Sequence, residues 1–170
     1  YGILIKDSRD DNFNRTSEDI ASYKLVDINN LVINKMKAWQ GSIGISEYRG
    51  IISPAYHVCK IVTSDVIPRY IHYLLRSCVY LPEYRRLSGG IRPDQWDLSY
   101  DNFKMIPIIV PSIFEQQAIA DYLDQKCALI DSIIEKQKTV IEKLKLYKQS
   151  VITEAVTKGL DPNTKMKPSG

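Results

Sequence analysis

Residues 111–160 read PSIFEQQAIADYLDQKCALIDSIIEKQKTVIEKLKLYKQSVITEAVTKGL, and neither proline nor glycine interrupts them between Pro111 and Gly159. Apolar side chains at Ile119, Leu123, Ile130, Ile133, Ile134, Val140, Ile141, Leu144, Tyr147, Val151, Ile152 and Ala155 recur at steps of three and four, which is the period of one helix face. Ser112 precedes Glu115 by three residues, the capping-box pattern that satisfies the first free amides of a helix. Gly159 followed by Pro162 supplies a stop. The segment is therefore expected to be one helix from about Ile113 to Lys158. At a rise of ~1.5 Å per residue it would extend about 70 Å.

A helix of that length cannot bury its stripe on a small domain alone, so a partner helix is expected. The adjacent pairs Ile133/Ile134 and Val140/Ile141 widen the stripe beyond a two-position seam, which suits an antiparallel pairing or more than one neighbour. Leu123, Ile130, Ile134, Ile141, Leu144 and Val151 are the expected pairing residues. Gln137 interrupts the stripe and is either a register device or an edge position. Lysines 136, 138, 143, 145 and 148 with Glu135 and Glu142 make the wet face. The alternative is a helix folded back into a single core.

Upstream, the texture changes. Short β-type runs (Gly2–Ile5, Lys24–Val26, Leu31–Ile33, Tyr56–Val62) alternate with glycine- and serine-bearing turns, and helical spacing is expected over Arg69–Ser77 and Pro82–Leu87. Ile108-Ile109-Val110 between Pro107 and Pro111 is expected to be a strand leading into the helix. The fold class is α+β. Residues 1–111 form a globular domain, 112–159 the helix, and 160–170 a linker or tail.

The 170 residues are 44% hydrophobic and 25% charged, enough for a real core and against disorder. The formal net charge is +3 and the pI about 8.7, which permits a nucleic-acid partner without requiring one. Cys59, Cys78 and Cys127 are odd in number and widely spaced, which suggests neither disulfides nor a zinc site and points to a reducing, cytoplasmic setting. No run has membrane-spanning length, and the start lacks the pattern of a signal peptide. A chain beginning at Tyr1 rather than Met suggests a fragment.

Motifs for chemistry are absent. Neither GxGxxG nor GxxxxGK[ST] occurs, His57 and His72 have no metal-ligand spacing around them, and Asp7, Asp10, Asp11, Glu18 and Asp19 read as an exposed polar loop. Catalysis, a bound metal and a bound cofactor are not expected. Two stretches suit DNA instead. Asn34-Lys35-Met36-Lys37-Ala38-Trp39-Gln40-Gly41-Ser42 combines cations, an indole, amides and a hydroxyl. Tyr84-Arg85-Arg86 through Gly89-Gly90-Ile91-Arg92-Pro93-Asp94-Gln95-Trp96 offers three arginines and a glutamine about a Gly-Gly turn. Cations bind phosphates, while Asn, Gln and Arg can pair with base edges. Lys35, Lys37, Gln40, Ser42, Arg85, Arg86, Arg92 and Gln95 are the candidate contacts. Met36 and Trp39 can equally be read as core.

The helical half resembles the specificity (S) subunit of type I restriction-modification systems. Pro111, Glu115-Gln116, Ile119-Ala120 and Leu123-Asp124 are similar to the start of that family's helical conserved region, and Leu144 to Leu160 to its end. Met166-Lys167 and Ser169-Gly170 resemble the linker to a further recognition domain, with Pro168 where the family more often has an acidic residue. Asn34-Lys35-Met36, Ala38-Trp39, Gly41 and Ser53-Pro54-Ala55-Tyr56 are similar to segments of its target recognition domains.

The resemblance implies a target recognition domain reading one half of a bipartite double-stranded DNA site, with the helix setting the spacing between halves. It implies methyltransferase (modification) and restriction subunits as partners, with S-adenosylmethionine, ATP and Mg expected on those partners and no active site in this chain. A single recognition domain implies a half-subunit or fragment that forms a homodimer through antiparallel helices. The competing reading from the residues is a coiled-coil assembly protein whose α+β domain binds another protein.

Overall fold

The runs rich in β-branched residues pair as short antiparallel strands. In a computed structural model, which describes residues 2–6, 20–90 and 96–161, β1 (Lys24–Val26) pairs with β4 (Gly50–Ile52). A three-stranded sheet has β2 (Leu31–Asn34) at its centre, between β3 (Ile43–Ile45) and β5 (Tyr56–Cys59). Leu31 lies opposite Ile45 and Cys59, and Asn34 opposite Tyr56. Ile33 and Ile43, opposite one another, are both buried.

Helix α1 (Pro68–Arg76) packs on β3 and runs in the same sense as β2. His72 Nδ1 accepts from the Ile45 amide at 3.1 Å and Arg76 donates to the Ile43 carbonyl at 3.0 Å. Tyr70, Ile71 and Leu75 enter the core, joined by Tyr84 from α2 (Leu81–Leu87) and by Leu98 and Ile106. The Tyr84 hydroxyl donates to the Leu75 carbonyl at 2.8 Å, so the buried phenol is satisfied. A short helix, α3 (Tyr100–Phe103), is capped by Ser99, whose hydroxyl accepts from the Asn102 amide.

Helix α4 spans Ile113–Lys158, 46 residues, as its period predicts. Ser112 Oγ accepts from the Glu115 amide at 3.3 Å. At the other end Gly159, with φ 76°, donates to the Ala155 carbonyl at 3.1 Å. The fold is α+β as expected.

Three expectations are corrected. Residues 2–5 form no strand, and β5 ends at Cys59 rather than reaching Val62. Ile108-Ile109-Val110 forms no strand either: Pro107 and Pro111 supply no amide hydrogen for a ladder, and the run is held instead by the Tyr70 hydroxyl, 2.9 Å from the Ile109 carbonyl. No described helix is long and apolar enough to cross a membrane.

The chain divides into two compact units, Tyr1–Leu123 and Asp124–Gly170. The first includes the opening turns of α4, because Gln116 and Ala120 are fully buried there. The second is the rest of α4 and the tail. Among its described residues the side chains are nearly all exposed, with Glu135–Lys138 and Glu142–Lys145 ion pairs on the wet side. The expected pairing residues Ile130, Ile134, Ile141, Leu144 and Val151 are about half exposed.

Candidate nucleic-acid interface

At the Asn34 end of the central strand the chain leaves the sheet in a 3₁₀ turn, Lys35–Gln40. Asn34 starts it, its side-chain oxygen accepting from the Met36 amide at 3.2 Å, a local bond that competes with continued strand pairing. Gly41 ends it with φ 84°, a left-handed conformation that favours glycine, and the Gly41 amide donates to the Ala38 carbonyl at 2.7 Å. Two backbone bonds fix the turn. The Lys35 amide donates to the Ala55 carbonyl, and the Leu98 amide donates to the Lys35 carbonyl, each at 3.0 Å.

The turn buries Ala38 completely and presents the rest outward. Met36 is 49% exposed and Trp39 is only partly covered, so neither is the core residue that their types suggest. Trp39 Nε1 donates to the Met36 carbonyl at 3.0 Å. Lys37, Gln40 and Ser42 are exposed and Lys35 is half-buried.

The second polar-cationic stretch folds back to this turn. Helix α2 packs against it, and after Ser88 the backbones of Gly89 and Asp97 pair in a bridge, with bonds of 3.1 and 2.8 Å. Trp96 directly precedes Asp97 at this bridge. The Trp96 ring meets Trp39 edge-on, with centroids 5.8 Å apart and planes at 66°. The geometry is the favourable T-shaped one.

Of the candidate contacts, Lys35, Lys37, Gln40 and Ser42 thus share one turn. Arg85 and Arg86 are exposed on α2. Glu83 holds Arg86 through bonds of 3.1 and 2.7 Å to Nε and Nη2, which raises its pKa. Arg92 and Gln95 lie outside the described residues.

Residues that sequence reading left aside also gather here. His57 Nε2 is 3.1 Å from the Leu98 carbonyl, and its ring lies 5.8 Å from that of Tyr100. Burial lowers the His57 pKa, assisted by the positive charges of Lys35 and Lys24 and opposed by the Leu98 bond and by Asp97. Lys24 Nζ donates to the Tyr56 carbonyl at 2.7 Å. Lys104 sits 5.1 Å from the Tyr100 ring centre and pairs with Asp101 at 2.7 Å. Lys104 meets Tyr100 and Asp101 within one helical turn, whereas the other contacts join residues far apart in the chain. His57 reaches Leu98 and Tyr100, and Lys24 reaches Tyr56, only through the tertiary fold.

Cations, amides and aromatic rings at one end of the domain can hold phosphates and meet bases. Among the described residues no group of three or more His, Cys, Asp and Glu could hold a metal.

The opposite end of the domain holds the root of the long helix. Gln116 Oε1 accepts from the Ile67 amide at 2.9 Å, just before α1, and Nε2 donates to the Asp65 and Pro111 carbonyls at 2.8 and 2.9 Å. Arg69 and Asp121 pair nearby at 2.7 Å. Because α1 runs antiparallel to β3, with His72 at Ile45 and Arg76 at Ile43, this clamp and the 3₁₀ turn lie at opposite ends of the sheet.

Residues 6–143 match the family model described as type I restriction modification DNA specificity domain. A 92-residue stretch, 54% of this chain, is 30% identical to the type I restriction enzyme StySPI specificity subunit of Salmonella potsdam. The match spans 19% of that protein's length.

Proposed function

This chain belongs to the type I restriction modification DNA specificity domain family, and from that membership we propose that it is the DNA-reading, non-catalytic component of a restriction-modification complex. It reads one half of a bipartite double-stranded site through the face built on the Lys35–Gln40 turn. Lys35 and Lys37 take phosphates, while Gln40 and Ser42 face base edges, joined by Arg85, Arg86, Arg92 and Gln95. The observation that supports this reading is the contact of Trp39 with Trp96, which joins the Lys35–Gln40 turn to the end of the second polar-cationic stretch. The reading as a protein-binding scaffold has no comparable support.

The complex directs modification and restriction subunits to the site, and S-adenosylmethionine, ATP and Mg²⁺ belong to those subunits. The exposed seam of α4 supports self-association: a two-fold homodimer would bury it and carry two recognition domains at a spacing set by the helix pair. Acting on DNA with reduced cysteines, the protein works in the cytoplasm.

The direct test is co-purification with a modification subunit, followed by mapping of the adenines methylated. Binding to DNA should weaken steeply with salt through counterion release. Methylation unchanged by the presence of this chain, together with salt-insensitive binding, would refute the proposal.

A further inference from the structure

His57 stands on β5 opposite Ile33 of β2, just before β2 gives way to the Lys35–Gln40 turn. Its Nε2 lies 3.1 Å from the Leu98 carbonyl. A carbonyl oxygen only accepts, so Nε2 carries the hydrogen, and the neutral ring keeps its other nitrogen, Nδ1, as a lone-pair acceptor. Among the described residues no group bonds Nδ1, and the one buried side-chain nitrogen or oxygen without a partner is Ser88 Oγ, so Nδ1 meets solvent. One nitrogen serves the fold and the other faces outward.

The ring is held by the residues that build the recognition face. Leu98 is fully buried and its amide donates to the Lys35 carbonyl at 3.0 Å, so one residue ties His57 to the start of the turn. The Tyr100 ring lies 5.8 Å away with the planes at 48°. Burial, with the charges of Lys35 and Lys24, keeps the imidazole neutral near pH 7, against the opposing pull of the Leu98 bond and Asp97. A neutral acceptor thus stands among cations. Lysines draw phosphates, which carry no sequence, whereas an acceptor fixed in place can discriminate between bases. In the major groove adenine N6 and cytosine N4 present donors, while guanine and thymine offer only acceptors. A lone pair aimed at guanine or thymine would meet another lone pair.

We propose that His57 is a specificity-determining residue, whose Nδ1 accepts from the exocyclic amino group of one base, adenine N6 or cytosine N4, in the major groove. Guanine and thymine are rejected at that position. The inference rests on the DNA-reading function above and adds to it a residue and the base chemistry that it selects.

Selection from randomised duplexes by the full chain with a modification subunit, at about pH 8 where histidine is neutral, first defines the parent's preferred site. His57→Gln keeps a donor for Leu98 without an acceptor at the Nδ1 position, and His57→Phe has no nitrogen; circular dichroism checks that each folds. Both should lose the preference for adenine or cytosine at one position and keep the others. Purine in place of that adenine, or pyrimidin-2-one in place of that cytosine, removes the amino group and tells the two bases apart. It should weaken binding by the parent about tenfold and binding by either variant far less. Variants that select the parent's site unchanged, variants that lose affinity uniformly across sequences, or a parent indifferent to the missing amino group overturn the role of His57 while the DNA-reading function stands. A parent that selects no sequence overturns both.

Discussion

Gln116 closes on the chain ahead of α1: its side-chain oxygen accepts from the Ile67 amide at 2.9 Å. Its nitrogen holds the Asp65 and Pro111 carbonyls, and the residue is fully buried. All three bonds are part-buried.

Replacing Gln116 with alanine takes the side-chain partner from the Ile67 amide and the Asp65 and Pro111 carbonyls and leaves a cavity where a fully buried side chain stood. The loss expected is about 2–4 kcal/mol of stability in the recognition domain. Urea unfolding followed by circular dichroism measures it, and a change below about 0.5 kcal/mol would rule the clamp out as a structural anchor.

Gly41 combines φ 84° with a site where an added Cβ would lie 2.9 Å from Leu81 Cδ2. Leu81 can yield, but the backbone conformation cannot suit alanine. Gly41→Ala is expected to cost about 1–2 kcal/mol. Gly50, with nothing within 4 Å of an added Cβ, provides the control: Gly50→Ala should melt close to the parent.

The lowered pKa of His57 makes stability depend on pH. Protonation then favours the unfolded chain, whose histidine titrates near 6.5. The contribution of His57 is complete above about pH 6.5 and is lost as pH falls toward its folded value. Melting temperatures measured from about pH 7 to about pH 5 should drop more steeply in the parent than in His57→Gln. Asp101 and Asp121, whose carboxyls are held below the ordinary value by Lys104 and by Gln117 and Arg69, lose their contributions only at lower pH.

On DNA, Lys37→Ala should weaken all sequences alike and reduce the slope of log affinity against log salt by about 1. Gln40→Ala should instead relax preference at one base position by about 1–3 kcal/mol. Anisotropy titrations against cognate and scrambled duplexes separate the two. A uniform loss with Gln40→Ala would move that residue to the phosphates.

Trp39→Ala removes the ring that meets Trp96 and should lower DNA affinity through both loops while leaving the helix content of α4 intact. Affinity equal to the parent would mean the two stretches act independently.

Periodicity, a serine cap and a glycine stop determined α4 from the sequence, because helix hydrogen bonds join residues four apart and every signal for them is local. The same holds for α1 and α2, and for β1 and β2. The start of the long helix was legible as Ser112 and Glu115. The burial of Gln116 beneath it was not, since its partners at Asp65 and Ile67 come from a distant loop.

The site divides in the same way. Residue types marked Lys35–Ser42 and Arg85–Trp96 as candidate loops. Tertiary structure decided that they meet, that Ala38 rather than Met36 or Trp39 fills the core, and that His57, Lys24 and Tyr100 stand beside them. Strand pairing and ring contacts between distant residues follow from packing the whole core, and packing leaves no periodic trace in the chain.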